Sequence, residues 1–270
     1  MTLKVNNVSY SYPGSNNDAL RNVSLEIHEN EFVAFLGPNG SGKSTLSRFL
    51  NGIERPDHGE VIVDGLKTSN EICLPSIREK VQIVFQNPEN QQVGITIFED
   101  IAFGLANIGF PTNQMEERIH SVLKLVNLNE TPDRLVTTLS GGEKQKLALA
   151  SVLALRPNYL ILDESTSMLD PYSSKYFLAA LKQARNELSF AVIYITHHLE
   201  EIEEADRVFL FNNGSLLKSC VLEELYEETH LLKECKLRMP YFRHLNLLIK
   251  RQGIDLAKYA DDLNELESFR

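Results

Sequence analysis

The residues Gly37-Pro38-Asn39-Gly40-Ser41-Gly42-Lys43-Ser44-Thr45 decide the fold, and they directly follow an apolar run over residues 32–36. This spacing of glycine, lysine and serine is typical of a phosphate-binding loop between a strand and a helix. The glycines let several backbone N–H groups point at one anion, and the N-terminus of the helix adds partial positive charge. A surface turn that happens to be rich in glycine is the alternative. The strand before the loop and the helix after it favour a site for a nucleoside triphosphate.

The side chains of this loop have separate expected roles. Lys43 is placed to reach the β- and γ-phosphates, and the Ser44 hydroxyl is placed to hold Mg²⁺. The loop residues that we expect to bind the nucleotide are Gly37, Asn39, Gly40, Ser41, Gly42, Lys43, Ser44 and Thr45. ATP and Mg²⁺ are therefore the expected cofactors.

Composition narrows the class of protein. The chain has 270 residues, 43% of them hydrophobic and 24% charged, which is typical of a globular protein with a sizeable core. A formal net charge of −10 disfavours nucleic acid as a partner. We find neither a membrane-spanning run of about 20 apolar residues nor a secretion signal. We therefore expect a cytosolic chain in which Cys73, Cys220 and Cys235 are ordinary thiols.

Apolar periodicity predicts an α/β core with a helical insertion at about 87–157 and a helical tail. We expect strands at 3–12, 23–27, 60–65, 81–85, 159–162, 191–195 and 207–211. We expect helices from Ser44 to about 51–52 and at 97–107, 113–126, 142–155 and 171–187. Asn213-Gly214 is a good hairpin turn, and the last 45 or so residues look helical.

Two carboxylates follow the apolar run over residues 160–162, namely Asp163 and Glu164. The carboxyl ends of strands are where ligands bind in open α/β sheets. We expect Asp163 to hold Mg²⁺ beside Ser44, and Glu164 to polarise the water that attacks the γ-phosphate. A strand that ends in a solvated acidic turn is the alternative. It is disfavoured because Lys43 and Asp163 both follow strands of one predicted sheet.

A third stretch, Leu139-Ser140-Gly141-Gly142-Glu143-Lys144-Gln145, identifies a family. Together with the phosphate loop it resembles the signature motif of ATP-binding cassette ATPases. The resemblance implies that Ser140, Gly141, Gly142 and Glu143 face an ATP held by a second subunit in a head-to-tail dimer. A capping serine before an ordinary helix is the alternative for this stretch alone.

Further positions match motifs of the same family. Tyr12 matches the aromatic residue that stacks on adenine, although Tyr10 competes for the role. Gln86 matches the glutamine that senses Mg²⁺ and water, whereas Gln82 is expected to be only a strand residue. Two further matches are Asp170, which would contact the opposite subunit, and the switch residue His197, which would hydrogen-bond the γ-phosphate. The neighbouring His198 is expected to be solvated at the start of a helix rather than a metal ligand.

The resemblance implies a P-loop NTPase core with an antiparallel β subdomain, a helical signature subdomain and a C-terminal helical extension. We place the ATPase domain at residues 1–220 and the extension at 221–270. Three positions depart from the commonest family pattern, namely Asn30, Glu143 and Ser165. None of them removes an expected catalytic group, which leaves Lys43, Gln86, Glu164 and His197 in place.

Residues 85–104 and 163–171 are similar to the first ATPase of energy-coupling factor transporters, which import vitamins and metal ions. The resemblance implies a second, similar ATPase, a transmembrane coupling protein and a small membrane protein that binds the substrate. It places the chain on the cytoplasmic side of the cell membrane. The apolar residues of the tail are expected to pack on the core or on a partner, and they are Tyr226, Leu231, Leu232, Leu237, Tyr241, Phe242, Leu245, Leu247, Leu248 and Ile249.

Other functions use the same fold. The chain could energise a different importer or exporter, with only the partners changed. A non-transport member of the family in DNA repair is disfavoured because residues 86–140 leave no room for a long coiled coil. A regulatory module without turnover is disfavoured because Glu164 and His197 are both present.

Overall fold

A computed structural model describes residues 1–15, 17–128 and 131–251. The strands are β1 (Thr2–Tyr10), β2 (Leu20–His28), β3 (Phe32–Leu36), β4 (His58–Val63), β5 (Leu66–Lys67), β6 (Val81–Val84), β7 (Tyr159–Asp163), β8 (Ala191–Ile195), β9 (Arg207–Asn212) and β10 (Ser215–Cys220). The helices are α1 (Lys43–Leu50), α2 (Leu74–Lys80), α3 (Ile97–Asn107), α4 (Thr112–Leu125), α5 (Gly141–Ala154), α6 (Pro171–Leu188), α7 (Leu222–Glu227), α8 (Thr229–Glu234) and α9 (Tyr241–Arg251).

The central sheet has six strands in the order β10-β9-β3-β8-β7-β6. Strands β9, β3, β8, β7 and β6 run parallel, and β10 returns antiparallel to β9 through the predicted turn at Asn213 and Gly214. All five parallel strands therefore end at one edge of the sheet. That edge receives the phosphate loop after β3, Gln86 after β6, Glu164 after β7 and His197 after β8.

The central sheet is buried on both faces because its residues alternate between two cores. In β3, Val33 and Phe35 belong to the core shared with α1 and the first strands. Ala34 and Leu36 belong to the core shared with the helices of the insertion. This explains why β3, β7 and β8 are buried at every position and why all their residues except Asp163 are apolar, a pattern that is typical of parallel strands covered on both faces.

The remaining strands form an antiparallel sheet in the order β2-β1-β4-β5. The pairing of β1 with both neighbours shifts register between Val5 and Tyr10, and β1 ends at Tyr10 instead of the predicted residue 12. Tyr12 therefore lies in the loop after the strand. The antiparallel subdomain, the parallel core and the helical insertion confirm the predicted fold class.

Helices α3, α4 and α5 form the insertion, within one to two residues of the predicted ranges. Both α3 and α5 begin with a capping box, in which a threonine or serine and a glutamate three residues later satisfy each other's backbone N–H groups. For α3 the pair is Thr96 and Glu99, and for α5 it is Ser140 and Glu143. The cap on α5 thus uses two residues of the signature motif.

Helices α7, α8 and the described part of α9 follow β10. Leu225, Leu232 and Leu237 are buried against the core of the central sheet. Arg238 also forms a parallel β-bridge with His198, so this segment packs beside the loop after β8. Residues 252–270 and the side chain of Leu247 lie outside the described part of the chain, and the boundary of the extension at residue 221 stays a prediction.

Candidate nucleotide-binding site

The phosphate loop connects β3 to α1 and needs glycine at two close approaches. Gly37 has φ +144°, and a Cβ there would lie 2.1 Å from the carbonyl oxygen of Phe211. Gly42 has φ +100° and caps α1, and a Cβ there would lie 2.5 Å from the carbonyl oxygen of Ala19. Side chains at either position would push the loop away from the sheet.

Lys43 is the first residue of α1, and its side chain turns back into the loop. Its Nζ donates to the carbonyl oxygens of Gly37 at 2.8 Å and Pro38 at 3.0 Å, and to Ser41 Oγ at 3.3 Å. Burial lowers the pKa of Lys43, and the carboxylates of Glu164 and Asp163 oppose that shift. A buried ammonium held by three oxygens is already positioned to meet a phosphate above the loop.

Ser44 and Asp163 lie together, as the sequence predicts. Ser44 Oγ donates to Asp163 Oδ1 at 2.8 Å, and Ser47 Oγ lies 3.4 Å from Oδ2. Burial raises the pKa of Asp163, and the hydrogen bond from Ser44 partly offsets this effect. Adjacent hydroxyl and carboxylate oxygens are the hard donors that Mg²⁺ prefers, and a cation would stabilise the ionised form of a carboxylate that burial disfavours.

Glu164 and His197 meet across the ends of neighbouring strands. Asp163 pairs with Ile195 in the sheet, so the next residues of β7 and β8 leave the sheet side by side. Glu164 Oε1 lies 4.0 Å from His197 Nδ1. Glu164 has φ +49°, a left-handed conformation that is uncommon for residues other than glycine, and its N–H donates to Ile195 O at 3.0 Å. Neighbouring structure thus holds its backbone in a costly conformation.

These groups line a cleft of about 570 Å³. Nine of the predicted site residues line it, namely Asn39, Gly40, Gly42, Lys43, Ser44, Thr45, Gln86, Asp163 and Glu164. Gln86 enters it directly after β6, and its Nε2 donates to Ser167 Oγ at 2.9 Å. The cleft therefore gathers polar groups from the ends of three strands, which is the arrangement expected around a polyphosphate.

The cleft also has lining residues that the sequence analysis did not select, namely Arg48, Phe85, Asn87 and Asn90. Arg48 lies four residues after Ser44 on α1, so helical spacing could have identified it. Asn87 and Asn90 follow Gln86 closely in the chain. Arg48 is engaged with Glu54, since its Nη1 lies 2.9 Å from Glu54 Oε1.

The two candidate adenine-stacking residues have different surroundings. Tyr10 packs edge-on against Phe49, with ring centroids 5.1 Å apart, and this places it against the core. Tyr12 is 39% exposed, and its hydroxyl lies 2.9 Å from Thr45 Oγ1 at the start of α1. The exposed ring beside the phosphate loop is thus Tyr12, which favours it over Tyr10 as the stacking residue.

The signature residues Ser140, Gly141, Gly142 and Glu143 do not line this cleft. Ser140 caps α5, and its N–H and Oγ both donate to Glu143 Oε2 at 2.7 Å. The other carboxylate oxygen of Glu143 accepts from Arg134 at 3.1 Å. Burial alone would raise the pKa of Glu143, but the hydrogen bonds from Ser140 and Arg134 hold it below its ordinary value. Glu143 is therefore an ionised, paired carboxylate.

Asp170 likewise does not line the described cleft. It caps α6, where its Oδ1 accepts from the N–H groups of Tyr172 and Ser173, each at 3.0 Å. The signature residues and Asp170 thus lie outside the lining of this chain's own cleft. They could form half of a second site that another subunit completes. The structure brings the other predicted residues together and leaves this second group separate.

No cluster of metal-ligating residues occurs in the ranges 1–15, 17–128 and 131–251. His198 is exposed and its ring lies 4.1 Å from that of His197, which agrees with the predicted solvated position. Cys220 and Cys235 are buried thiols, and Cys73 is half-buried. Within the same described residues, none of the helices is long and apolar enough to cross a membrane.

Known proteins are similar to this chain in sequence. The family model "ABC transporter" matches residues 20–167. The chain is 39% identical to an energy-coupling factor transporter ATP-binding protein, EcfA, of Syntrophomonas wolfei, over 98% of this chain and 97% of that one. It is 42% identical to EcfA1 of Oceanobacillus iheyensis, over 93% and 89% of the two chains.

Solved structures of ATP-binding cassette proteins are also similar to this chain. CbiO1 of Clostridium perfringens, part of the transporter complex CbiONQ, is 32% identical with a TM-score of 0.77 over 90% of this chain and 97% of that one. The cassette MJ0796, solved as a dimer bound to ADP and phosphate, is 30% identical with a TM-score of 0.73 over 82% and 98%. The chain therefore belongs to the ATP-binding cassette transporter family, as an ATPase of its energy-coupling factor branch.

Proposed function

We propose that this chain hydrolyses Mg²⁺-bound ATP to drive the uptake of a vitamin or other micronutrient through a transmembrane coupling protein. The observation that carries the proposal is the convergence of Lys43, Ser44, Asp163 and Glu164 on one cleft. The near full-length similarity to energy-coupling factor ATPases supports the transport role.

The phosphate loop and its neighbours bind the ATP. Lys43 and the loop N–H groups bind the β- and γ-phosphates, and Tyr12 stacks on the adenine. Ser44 and Asp163 would hold Mg²⁺, and Gln86 lines the same cleft. When bound, the cation neutralises charge that develops on the phosphates. Asp163 must be ionised for this role, although burial favours its protonated form.

Hydrolysis depends on Glu164, Gln86 and His197. Glu164 accepts a proton from the attacking water, Gln86 orients that water, and His197 hydrogen-bonds the γ-phosphate. The Glu164 carboxylate and the His197 imidazole are separated by 4.0 Å, so both can reach atoms around one phosphorus. Most of the rate enhancement then comes from positioning and electrostatic stabilisation.

A second, similar ATPase completes each site. Ser140, Gly141 and Gly142, at the N-terminus of α5, would bind the γ-phosphate of an ATP held by that partner, and Asp170 would contact the partner beside it. ATP binding closes the two subunits, and hydrolysis reopens them. This scheme accounts for the absence of the signature residues Ser140, Gly141 and Gly142 from the lining of this chain's own cleft.

A surface on the insertion fits the coupling protein of the membrane. Val93 is 60% exposed and Ile95 is 72% exposed, and both lie just before α3. The next apolar residues, Ile97 and Phe98, belong to the core, since Ile97 is fully buried and Phe98 packs partly against it. Val93 and Ile95 thus offer apolar side chains to a coupling helix, which would hold the chain at the cytoplasmic face of the membrane.

The C-terminal extension supplies a second apolar surface. Tyr241 is 86% exposed on α9, and Leu245 and Leu248 on the same helix are 39% and 47% exposed. We infer that this face packs against the partner ATPase, since large apolar side chains on one helix face usually mark an interface.

The transport proposal is tested by purifying the tagged chain from gently solubilised membranes of its own cells. We expect a second, similar ATPase and two kinds of integral membrane protein, one of them small, in the same complex. Recovery with a single ATPase type and ordinary permeases, or with ribosomes or DNA-repair proteins, would leave the ATP chemistry standing and overturn the energy-coupling factor assignment.

A further inference from the structure

One acidic side chain outside the predicted site joins two of its loops. Glu201 lies on a short 3₁₀ turn, Leu199–Ile202, that directly follows the loop of His197. Leu199 and Ile202 are fully buried, which fixes the orientation of this turn. The Glu201 carboxylate therefore has a defined position between the loop after β7 and the loop after β8.

Each oxygen of that carboxylate accepts a hydroxyl from a different loop. Thr166 Oγ1 donates to Oε1 at 2.6 Å, and Thr196 Oγ1 donates to Oε2 at 2.7 Å. The two threonines are only 4% and 2% exposed. Buried hydroxyls that lose a partner are costly, so both threonines are committed to Glu201.

Both threonines lie next to groups that we assign to hydrolysis. Thr166 is two residues after Glu164, and Thr196 directly precedes His197. Thr196 Oγ1 also accepts from the N–H of His198 at 3.0 Å, so the backbone is fixed on both sides of His197. Thr166 Oγ1 also has a second partner, the hydroxyl of Tyr194, at 3.1 Å. One carboxylate thus anchors the flanks of both catalytic groups.

We propose that Glu201 is a positioning residue for ATP hydrolysis, which ties the loop of Glu164 to the loop of His197. The proposal rests on the catalytic roles given above to those two residues. A carboxylate suits the task because both oxygens accept, whereas a carboxamide offers one acceptor and a donor. Glu164 also has a left-handed backbone that needs support from its surroundings, and Glu201 anchors the same loop two residues later, at Thr166.

The test compares the purified membrane complex with four variants of this chain: Glu201→Gln, Thr166→Val, the combination of these two, and Glu200→Gln as a control on the same turn. In each complex the catalytic glutamate of the second ATPase is also replaced, so that turnover reports this chain's site. We expect Glu201→Gln to lower kcat by about tenfold or more, and to change the Kd for a nonhydrolysable ATP analogue by less than about twofold. The combined variant should be no slower than Glu201→Gln, and the control should match the unsubstituted chain.

Unchanged kcat in Glu201→Gln would overturn the proposal. A loss of ATP affinity as large as the loss of kcat would also overturn it, because that result would indicate a purely structural role. Additive losses in the combined variant would overturn it as well, because they would show that Glu201 and Thr166 act independently. A complex that carries Glu164→Gln distinguishes failure of the positioning role of Glu201 from failure of the catalytic role of Glu164. Normal turnover in that complex would instead overturn the catalytic assignment of Glu164.

Discussion

The two glycines at positions 37 and 40 allow a test of the phosphate loop with a built-in control. Both have left-handed backbones, with φ +144° and +78°. A Cβ on Gly37 would lie 2.1 Å from Phe211 O and 2.9 Å from Ser41 Oγ, whereas a Cβ on Gly40 would have nothing within 4 Å. The substitutions Gly37→Ala and Gly40→Ala therefore differ in the clash, and φ at Gly37 also lies farther from the left-handed region that alanine can adopt.

The expected magnitudes follow from that difference. A left-handed alanine costs about 1–2 kcal/mol, and Gly40→Ala regains part of this because alanine restricts the unfolded chain. Gly37→Ala adds an overpacking cost of about 1–3 kcal/mol against backbone that cannot rotate away. The extra loss of about 1–3 kcal/mol should lower the Tm of Gly37→Ala by about 2–12 °C relative to Gly40→Ala.

Thermal unfolding of the nucleotide-free chain, followed by circular dichroism, measures both variants. Gly37 O is also an acceptor for Lys43 Nζ, so Gly37→Ala should weaken ATP binding as well. Equal Tm values for the two variants, or a larger loss for Gly40→Ala, would refute the described approach of the loop to β9.

Three further predictions concern the site. Burial raises the pKa of Asp163 above 3.8, so its ionisation destabilises the nucleotide-free chain as pH rises through that raised value. Asp163→Asn should therefore raise the Tm at pH 7 and abolish Mg²⁺-dependent tightening of ATP binding; an unchanged Mg²⁺ effect in a binding titration would contradict this. Tyr12→Ala should weaken ATP binding about tenfold and Tyr12→Phe much less, since stacking needs the ring; equal affinities would exclude stacking. Arg134→Met should slow turnover of the complex severalfold by leaving the Glu143 charge unpaired, and adding Glu143→Gln should restore it. A double variant as slow as Arg134→Met would exclude this charge effect.

Local patterns predicted much of the fold. The phosphate loop and the capping box of α5 depend on residues within a few positions of each other, and both occur where the sequence places them. The parallel strands are recognisable because burial on both faces makes most of their residues apolar. The connection between β3 and α1 therefore required no knowledge of distant contacts.

Other features depend on contacts that the sequence does not display. The short β5 and α2, and the edge strand β10, carry weak apolar periodicity and were not predicted, although the turn before β10 was. Tyr10 and Tyr12 have the same alternation phase, and only the end of β1 separates them. Glu201 joins Thr166 across 35 positions, and that tie is visible only when the two loops are in place.

Glu164, beside Lys43 and Asp163, is the proposed general base for ATP hydrolysis in a membrane transport complex. The most direct measurement is ATP turnover by the purified complex with and without Glu164→Gln, with the second ATPase's own catalytic glutamate replaced in both. We predict a loss of about 100-fold or more in kcat with ATP binding retained. Turnover at the unsubstituted rate would contradict the account.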